Sequence, residues 1–458
     1  MNLAEHLRTV IKPHLLEPSR TISLAYSAGV DSHVLLNLLI DLIPDYPQHR
    51  FQAIHVNHGL SINADKWQQH CRQFCETHLI DFIGVKVSID RQTGQSLEAL
   101  AREARYAALL ENTPNDGVIL LAQHQDDQLE TLLLQLKRGA GPKGLSSMAL
   151  CSDSQRGIKL IRPLLDVSQQ QIMDYAGINK LCWQEDESNQ NLAFERNFLR
   201  HQIIPKLTEQ WPKFAQSVGR TARLCAEQQQ LLDEVCGEKL EALRDQDNTL
   251  DVAGLLSYSQ PWIFQIVRLW LSEQFITMPS QAILQQLPNL LLAQEDANPA
   301  IEWLDWQLRR YQNRLCALPS LPPIEVTNYR LDANKILTLP QSLGEILLTL
   351  EQKRHTENLS NETAGLIFEV KFGGYSVKFK PQGANHSKPL KQWFKQWKIP
   401  PWQRERVVQI YDQDSLIAVL VNEQFILAHV AEKQDHSQQL SLHYTRQGRC
   451  GASAIICR

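Results

Sequence analysis

TISLAYSAGVDSHVLLNLLIDL, residues Thr21 to Leu42, decides the fold. Thr21 to Tyr26 is β-branched and apolar and reads as a strand, while Ser27 to Ser32 is a tight loop of small and polar residues. Val34, Leu35, Leu38, Leu39 and Leu42 then follow at helical spacing. A strand, a glycine loop and a helix start make an anion site, because the first amides of a helix lack intrahelical acceptors and the helix dipole adds partial positive charge there.

Phosphate suits such a loop. Gly29 lets the backbone approach closely, Ser27 and Ser32 add hydroxyl donors, and Asp31 adds a carboxylate able to hold Mg²⁺ on phosphates. The plainer reading, a strand-to-helix turn capped by Asp31 or Ser32, competes with it at about even odds on the pattern alone.

The loop resembles the S-G-G-x-D-S signature of the N-type ATP pyrophosphatases, which cleave ATP between its α and β phosphates. That resemblance implies nucleotide contacts from Ser27, Ala28, Gly29, Val30, Asp31 and Ser32. Ala28 departs from the pattern, standing where the family has its first glycine. If the position needs positive φ, its Cβ costs on the order of 1–2 kcal/mol.

The chain has 458 residues, 43% hydrophobic and 21% charged, enough for two to four domains of an ordinary soluble protein. No apolar run approaches a membrane span, and the N-terminus reads as a polar-faced helix ended by Pro18 and not as a signal peptide, so no membrane partner and a cytoplasmic location are expected. Nine cysteines at irregular spacing, without a C-x-x-C pair, fit a reducing compartment.

After Phe51 the alternation continues with FQAIHVNH, a helix over Ala64 to Leu79, a strand over Ile80 to Val87, a helix over Ser96 to Leu110, VILLAQ, and a helix from Gln125 to Lys137. Such alternation predicts an α/β, Rossmann-like parallel sheet with helices on both faces. Ligands then belong beyond the carboxyl ends of the strands, which selects the Ser27 to Ser32 loop, the segment His55, Val56, Asn57 and His58, and His124 with the acidic turn that follows. Taken singly, His55 and His58 are more economically read as loop residues without a ligand.

In HQDDQLET, Glu130 shares a helix face with either Asp126 or Asp127. Two carboxylates on one face suit Mg²⁺ or a substrate ammonium, and dipole compensation in a first helical turn is the competing account. Nearby lie Arg102 and Arg105, with Glu98 four residues before Arg102 as its expected salt-bridge partner, and the glycine loop KRGAGPKGLSSM carrying Lys137, Arg138 and Lys143. Arg196 and Arg200, four apart, would face one way on a helix and suit a phosphate, or pair with Glu195 or Glu209. Cys71, Cys75 and His78 are a poor Zn²⁺ cage and better read as core-facing thiols beside a histidine.

Together, NHGLSINADKW, EALAREARY, AQHQDDQLETLLLQLKRGAGPKGLSSM, RPLLD and WQEDESNQNLAFERNFLR closely resemble the bacterial tRNA(Ile)-lysidine synthetases over roughly residues 20 to 225 and 370 to 430. The resemblance implies an N-type ATP pyrophosphatase fold, with main-chain recognition of adenine near Ile54 to His58. It also implies a ligase that uses ATP and Mg²⁺ to adenylate C2 of the anticodon wobble cytidine of tRNA(Ile) bearing CAU, after which L-lysine attacks to give lysidine, AMP and pyrophosphate. The implied catalytic residues are Asp31, Asp127, Glu130, Arg105 and Arg196. Asp31 and Asp127 would take the metal, and Ser27 to Ser32 with His55, Asn57 and His58 the nucleotide. Asp127 and Glu130 would hold the attacking lysine, Arg105 its carboxylate, and Arg196 the adenylated base or its phosphate.

Trp211 to about Leu318 reads as mostly helical, with Trp262, Phe264, Trp270, Trp303 and Trp306 in its core. Leu318 to Pro323 is stiff and a boundary, with strand-like residues after it to about Thr363. Between Lys371 and Ile410 nine Lys or Arg face one acid, Glu405, in a chain of net charge −4. With Trp393, Phe394, Trp397 and Trp402 interleaved, this is a candidate nucleic-acid surface, although each tryptophan alone is more simply core. The expected domains are therefore 1–215, catalytic; 216–318, helical and tRNA-binding; 319–368, a strand-rich connection; and 369–458, a small basic α+β domain binding tRNA. Nothing in the sequence sets the oligomeric state.

Three rivals remain at this stage. The missing C-x-x-C disfavours another tRNA-modifying enzyme of the same class, a thiolase. The basic C-terminal region disfavours an amide synthetase. A catalytically impaired tRNA-binding homologue is the outcome if Ala28 disables the loop.

Overall fold

A computed structural model describes residues 2–15, 19–89, 97–154, 156–294, 297–324, 327–351, 367–429, 439–446 and 449–457. The expected helix start at Ser96, the stop at Pro18 and the strand-like stretch 352–366 lie outside these residues. Two compact units divide the chain, Met1–Glu238 and Lys239–Arg458. Among the described residues no helix is long and apolar enough to cross a membrane.

The first unit begins with α1 (Leu3–Leu15), β1 (Thr21–Ala25), α2 (Val30–Ile40), β2 (Arg50–Asn57), α3 (Ala64–Thr77), β3 (Asp81–Lys86), α4 (Leu97–Glu111), β4 (Val118–Leu120) and α5 (Gln125–Lys137). It continues with α6 (Pro142–Leu145), β5 (Cys151–Asp153), β6 (Lys159–Ile161), α7 (Gln169–Ile178), α8 (Glu195–Phe198), a π-helical turn (Leu199–Ile203) and α9 (Ile204–Gln210). Helix α10 (Phe214–Leu243) carries the chain into the second unit.

One sheet, in the order β3-β2-β1-β4-β6-β5, runs parallel except for β5, which is antiparallel to β6. β1 lies inside the sheet and is buried on both faces: Ile22 and Leu24 on one, and on the other the Ser23 hydroxyl, which accepts from Gln52 Nε2 and Thr113 Oγ1, each at 2.9 Å. α2 is nearly apolar all round because neighbours cover it. Val34, Leu35, Leu36, Leu38 and Leu39 are buried, α1 and α7 pack on it, and Tyr175 Oη donates to Asn37 Oδ1 at 2.9 Å. Each such leucine is worth about 1.5–3 kcal/mol by burial. α7 opens at Ser168 with a capping box to Gln171.

In the second unit α11 (Val252–Leu256), α12 (Gln260–Glu273), α13 (Gln281–Leu284) and α14 (Leu287–Leu292) share their region with a four-stranded antiparallel sheet, β7 (Leu250–Asp251), β8 (Ala300–Trp303), β9 (Trp306–Tyr311) and β10 (Arg314–Pro319). Trp262, Phe264 and Trp270 are on α12 as their spacing predicts, but Trp303 and Trp306 flank a β-hairpin turn and are paired across it.

The stretch read as a connection supplies strands. β11 (Tyr329–Asp332) joins β14 (Ile367–Lys371), β17 (Val408–Asp412), β18 (Ser415–Val421) and β19 (Gln424–Leu427), while β12 (Ile336–Thr338) and β13 (Glu345–Glu351) join β20 (Gln439–Arg446) and β21 (Arg449–Cys457). β15 (Lys378–Phe379) and β16 (Lys388–Pro389) form a small ribbon ahead of α15 (Leu390–Gln396) and α16 (Pro401–Arg404). Trp393 and Phe394 are buried in this region's core, with Trp397 packed against them, while Lys378, Lys391, Lys395 and Lys398 stay exposed. The aromatic residues of α15 are thus core, and the exposed feature is the basic face.

Candidate active site

The loop between β1 and α2 closes on itself. The Ser27 amide donates to Ser32 Oγ at 3.1 Å, the two hydroxyls lie 3.1 Å apart, and Ser32 Oγ donates to Gly29 O at 3.0 Å. Gly29 is the N-cap of α2, with an extended backbone and no side-chain cap. Neither Asp31 nor Ser32 caps the helix, so the plain capped-turn account loses its support. Ala28 has φ 71°, the left-handed conformation that its Cβ disfavours, and is 1% exposed.

At the end of β2 the three polar residues are spent differently. His55 is buried and its Nδ1 donates to Tyr26 O at 2.8 Å, so its ring supports the loop from beneath. The Asn57 side chain donates to Asp65 and Gln68 and accepts from the Gly59 amide, shaping the following turn. His58 Nε2 accepts from Arg105 Nε at 3.3 Å, and burial together with the Arg105 charge holds its pKa down at about 4. His55 Nδ1, the Asn57 amide and His58 Nε2 are thus engaged by the protein's own groups, whereas His58 Nδ1 is buried without a partner among the described residues; β1 stops at Ala25 opposite Ile54, while β2 runs on to Asn57.

His124, picked out from the sequence as a strand-end residue but given no role there, turns out to be central. It is the N-cap of α5, it is buried, and Asp127 Oδ2 accepts from its backbone N–H at 3.0 Å. Its ring sits among three carboxylates, with Nε2 3.7 Å from Asp31 Oδ1 and 3.5 Å from Asp127 Oδ2, and Nδ1 3.6 Å from Asp126 Oδ2. Burial disfavours its charge, but the hydrogen bond to Asp126 and the charges of Asp127 and Asp31 outweigh that and lift it to about 9. Asp31, on the phosphate loop, and Asp127, on α5, are thereby brought to one point. Burial raises the Asp31 pKa, and its Oδ1 is buried without a hydrogen-bond partner among the described residues.

The two aspartates of α5 separate in role. Asp126 Oδ2 accepts from the Gln169 amide at 2.8 Å, tying the start of α5 to the start of α7. Asp127 faces Asp31, and with Glu130 it meets the arginines of the α8 to α9 segment. Arg196 Nη1 lies 3.5 Å from Glu130 Oε2, Arg200 Nε 2.7 Å from Glu130 Oε1, and Arg200 Nη2 3.4 Å from Asp127 Oδ1. Arg196 and Arg200 do share one face, and it serves carboxylates in this structure.

Two pairings differ from expectation because partners come from other helices. Glu98 pairs with Arg196, at 3.3 Å, and not with Arg102, which lies over the Tyr106 ring; Glu195 pairs with Lys137 and not with Arg196. Arg105 is exposed beside His58, and Lys143 is exposed in the loop after α5. Cys71 and Cys75 are fully buried, and the His78 ring donates to Phe74 O, so the three do not converge. Among the described residues no three His, Cys, Asp or Glu side chains cluster as a metal cage.

Residues 1–207 match the PP-loop domain model, 250–316 the TilS substrate binding domain and 368–443 the TilS substrate C-terminal domain. The tRNA(Ile)-lysidine synthase of Serratia proteamaculans is 39% identical over 434 residues, 93% of this chain and 96% of that protein. That of Edwardsiella ictaluri is 40% identical over 409 residues, 88% and 90%. Among solved structures, a TILS C-terminal domain aligns at 17% identity and a TM-score of 0.21, covering 27% of this chain and all of that one. With a PP-loop carrying Asp31 beneath an acidic helix start, and with that identity running almost end to end, the chain belongs to the tRNA(Ile)-lysidine synthases.

Proposed function

We propose that this chain ligates L-lysine to C2 of the wobble cytidine in tRNA(Ile) with a CAU anticodon. ATP first adenylates the C2 oxygen and releases pyrophosphate; the lysine ε-amine then attacks C2 and expels AMP. The observation that carries this reading is the meeting of Asp31, from the phosphate loop, with Asp127, from the acidic helix, at one nitrogen, Nε2, of the His124 imidazole. It joins the nucleotide end of the site to the end where an amine would be held.

The amides and hydroxyls of Ser27 to Ser32 would receive the departing pyrophosphate, aimed at charge that develops as the bond breaks. The main chain of Ile54 to His58 would read the adenine. Arg105, exposed at the mouth, would take the lysine carboxylate, and Arg196, steadied by Glu98, Glu130 and Thr131, the adenylated base. Asp127 and Glu130 would hold the lysine ammonium and accept its proton.

Mg²⁺ fits the same point. It commonly takes one or two carboxylates and keeps its remaining positions for water and phosphate, so a three-ligand protein cage is not required. The unpartnered buried Asp31 Oδ1, with Asp127 beside it at the same edge of the His124 ring, would hold it. When bound it would neutralise phosphate charge.

By this reading residues 1–215 catalyse, and 216–318 and the basic 369–458 bind tRNA, the latter sharing its sheets with strands from 319–368, in the cytoplasm. Protein, ATP with Mg²⁺, labelled lysine and an isoleucine tRNA transcript test it together. Label in the RNA with one pyrophosphate released per lysine is the expected result; RNA binding without pyrophosphate release would return the impaired-homologue reading.

A further inference from the structure

Glu130 is 1% exposed, yet both of its oxygens are already engaged, by Arg200 Nε at 2.7 Å and Arg196 Nη1 at 3.5 Å. Asp127 Oδ1 is 3.4 Å from Arg200 Nη2. Arg200 therefore bridges the two carboxylates that the reading above gives to lysine, on which this inference rests. Arg196 is anchored elsewhere as well, through Glu98 and Thr131, whereas the described ion pairs of Arg200 go to Asp127 and Glu130 alone.

Both Glu130 oxygens and Asp127 Oδ1 are thus already occupied by guanidinium nitrogens. A substrate ammonium added to that group would gain little attraction and would still lose its hydration, which is unfavourable in a buried site. Exchange avoids this, because the incoming cation inherits the carboxylates and the outgoing one returns to water. Of the two guanidiniums, exposed to a similar degree at 29% and 33%, Arg196 is also held by Glu98 and Thr131, so Arg200 is the one freer to leave. Arg200 also lies in the π-helical turn Leu199–Ile203, a rare conformation that recurs at functional sites.

We propose that Arg200 is a specificity-determining positioning residue, an internal cation that occupies Asp127 and Glu130 until the substrate ammonium displaces it. An amino acid without a terminal cation cannot make the exchange and leaves the arginine in place.

The test is steady-state lysidine formation in the full-length enzyme with Arg200→Ala and Arg200→Lys, reading KM for lysine separately from kcat. Removing an internal competitor raises the fraction of binding-competent enzyme, so Arg200→Ala is expected to lower the lysine KM by about threefold or more. Millimolar methylguanidinium, refilling the vacated space, should raise that KM again as a competitor of lysine while leaving the wild type unaffected. A lysine KM that is unchanged or raised in Arg200→Ala, in protein with a wild-type melting profile, overturns the proposal. Should that variant not fold, Arg200→Lys decides, since it keeps a cation but loses the planar fork: a KM below wild type is expected and one at or above it overturns the proposal. Asp127→Asn separates the two levels. If it leaves the lysine KM unmoved, the acidic pair does not hold lysine and the underlying reading fails; if it raises the KM while Arg200→Ala does not lower it, only the exchange fails.

Discussion

The amide of Gln184 donates to the carbonyl of Ala28 at 3.0 Å, so the one non-glycine substitution in the phosphate loop is held in its left-handed conformation by a segment more than 150 residues further along the chain. Ala28→Gly would relieve on the order of 1 kcal/mol of backbone strain. It would also remove a buried methyl worth about 0.8 kcal/mol. The two nearly cancel, so thermal denaturation should show a shift of only a few degrees, and ATP titration should show affinity no weaker than wild type. A large loss of either would mean that the methyl group itself shapes the loop.

Asp31→Ala should abolish pyrophosphate release, by at least about 10²-fold, while leaving tRNA affinity near wild type. Filter binding beside a pyrophosphate assay measures both. A parallel loss of tRNA binding would refute the separation of nucleotide and RNA sites.

Neutralising Lys391, Lys395 and Lys398 together should weaken tRNA binding. If each meets a phosphate, the slope of log affinity against log salt should flatten by roughly two to three. An unaltered slope would remove the exposed face of α15 from the RNA footprint.

His33 is buried in the first core, and its Nδ1 accepts from Tyr26 Oη at 2.6 Å; burial, with His70 and His78 nearby, lowers its pKa to about 4. Its depressed folded value means that this stabilisation is complete above the unfolded pKa near 6.5 and is lost as pH falls from there through about 4, on the order of 3 kcal/mol in all. Urea denaturation across that window should steepen with acid in the wild type and less so in His33→Gln, which keeps an acceptor for Tyr26. Equal slopes would assign the acid sensitivity elsewhere, with His58 the next group to test.

The first crossover was legible because each of its signals is local: the apolar strand from Thr21, the small-residue loop and the leucines of α2 all lie within one short segment. Asp31, Asp127 and Glu130 could be nominated for the same reason. What could not be read depends on partners that are distant in sequence. His124 looks like any strand-end histidine until Asp31 arrives from the other side of the sheet, and Glu98 has a plausible helical neighbour in Arg102 until Arg196 displaces it. The β8 to β9 hairpin was missed because Trp303 and Trp306 also fit a helical period, and the turn between them, with Leu304 at φ 46°, uses a residue that rarely signals one. Helix geometry alone left Asp126 and Asp127 equivalent, since either shares a helix face with Glu130, and the family resemblance picked Asp127; the physical difference between them lies in α7, whose Gln169 amide takes Asp126.

That last choice bears on how the sequence can vary. Because Asp126 is committed to the Gln169 amide and Asp127 to His124 and Arg200, the adjacent acids are no reserve for each other: a codon change at one position finds no understudy in its neighbour, and sliding the acidic turn by a single residue would exchange their partners and lose both sets of contacts.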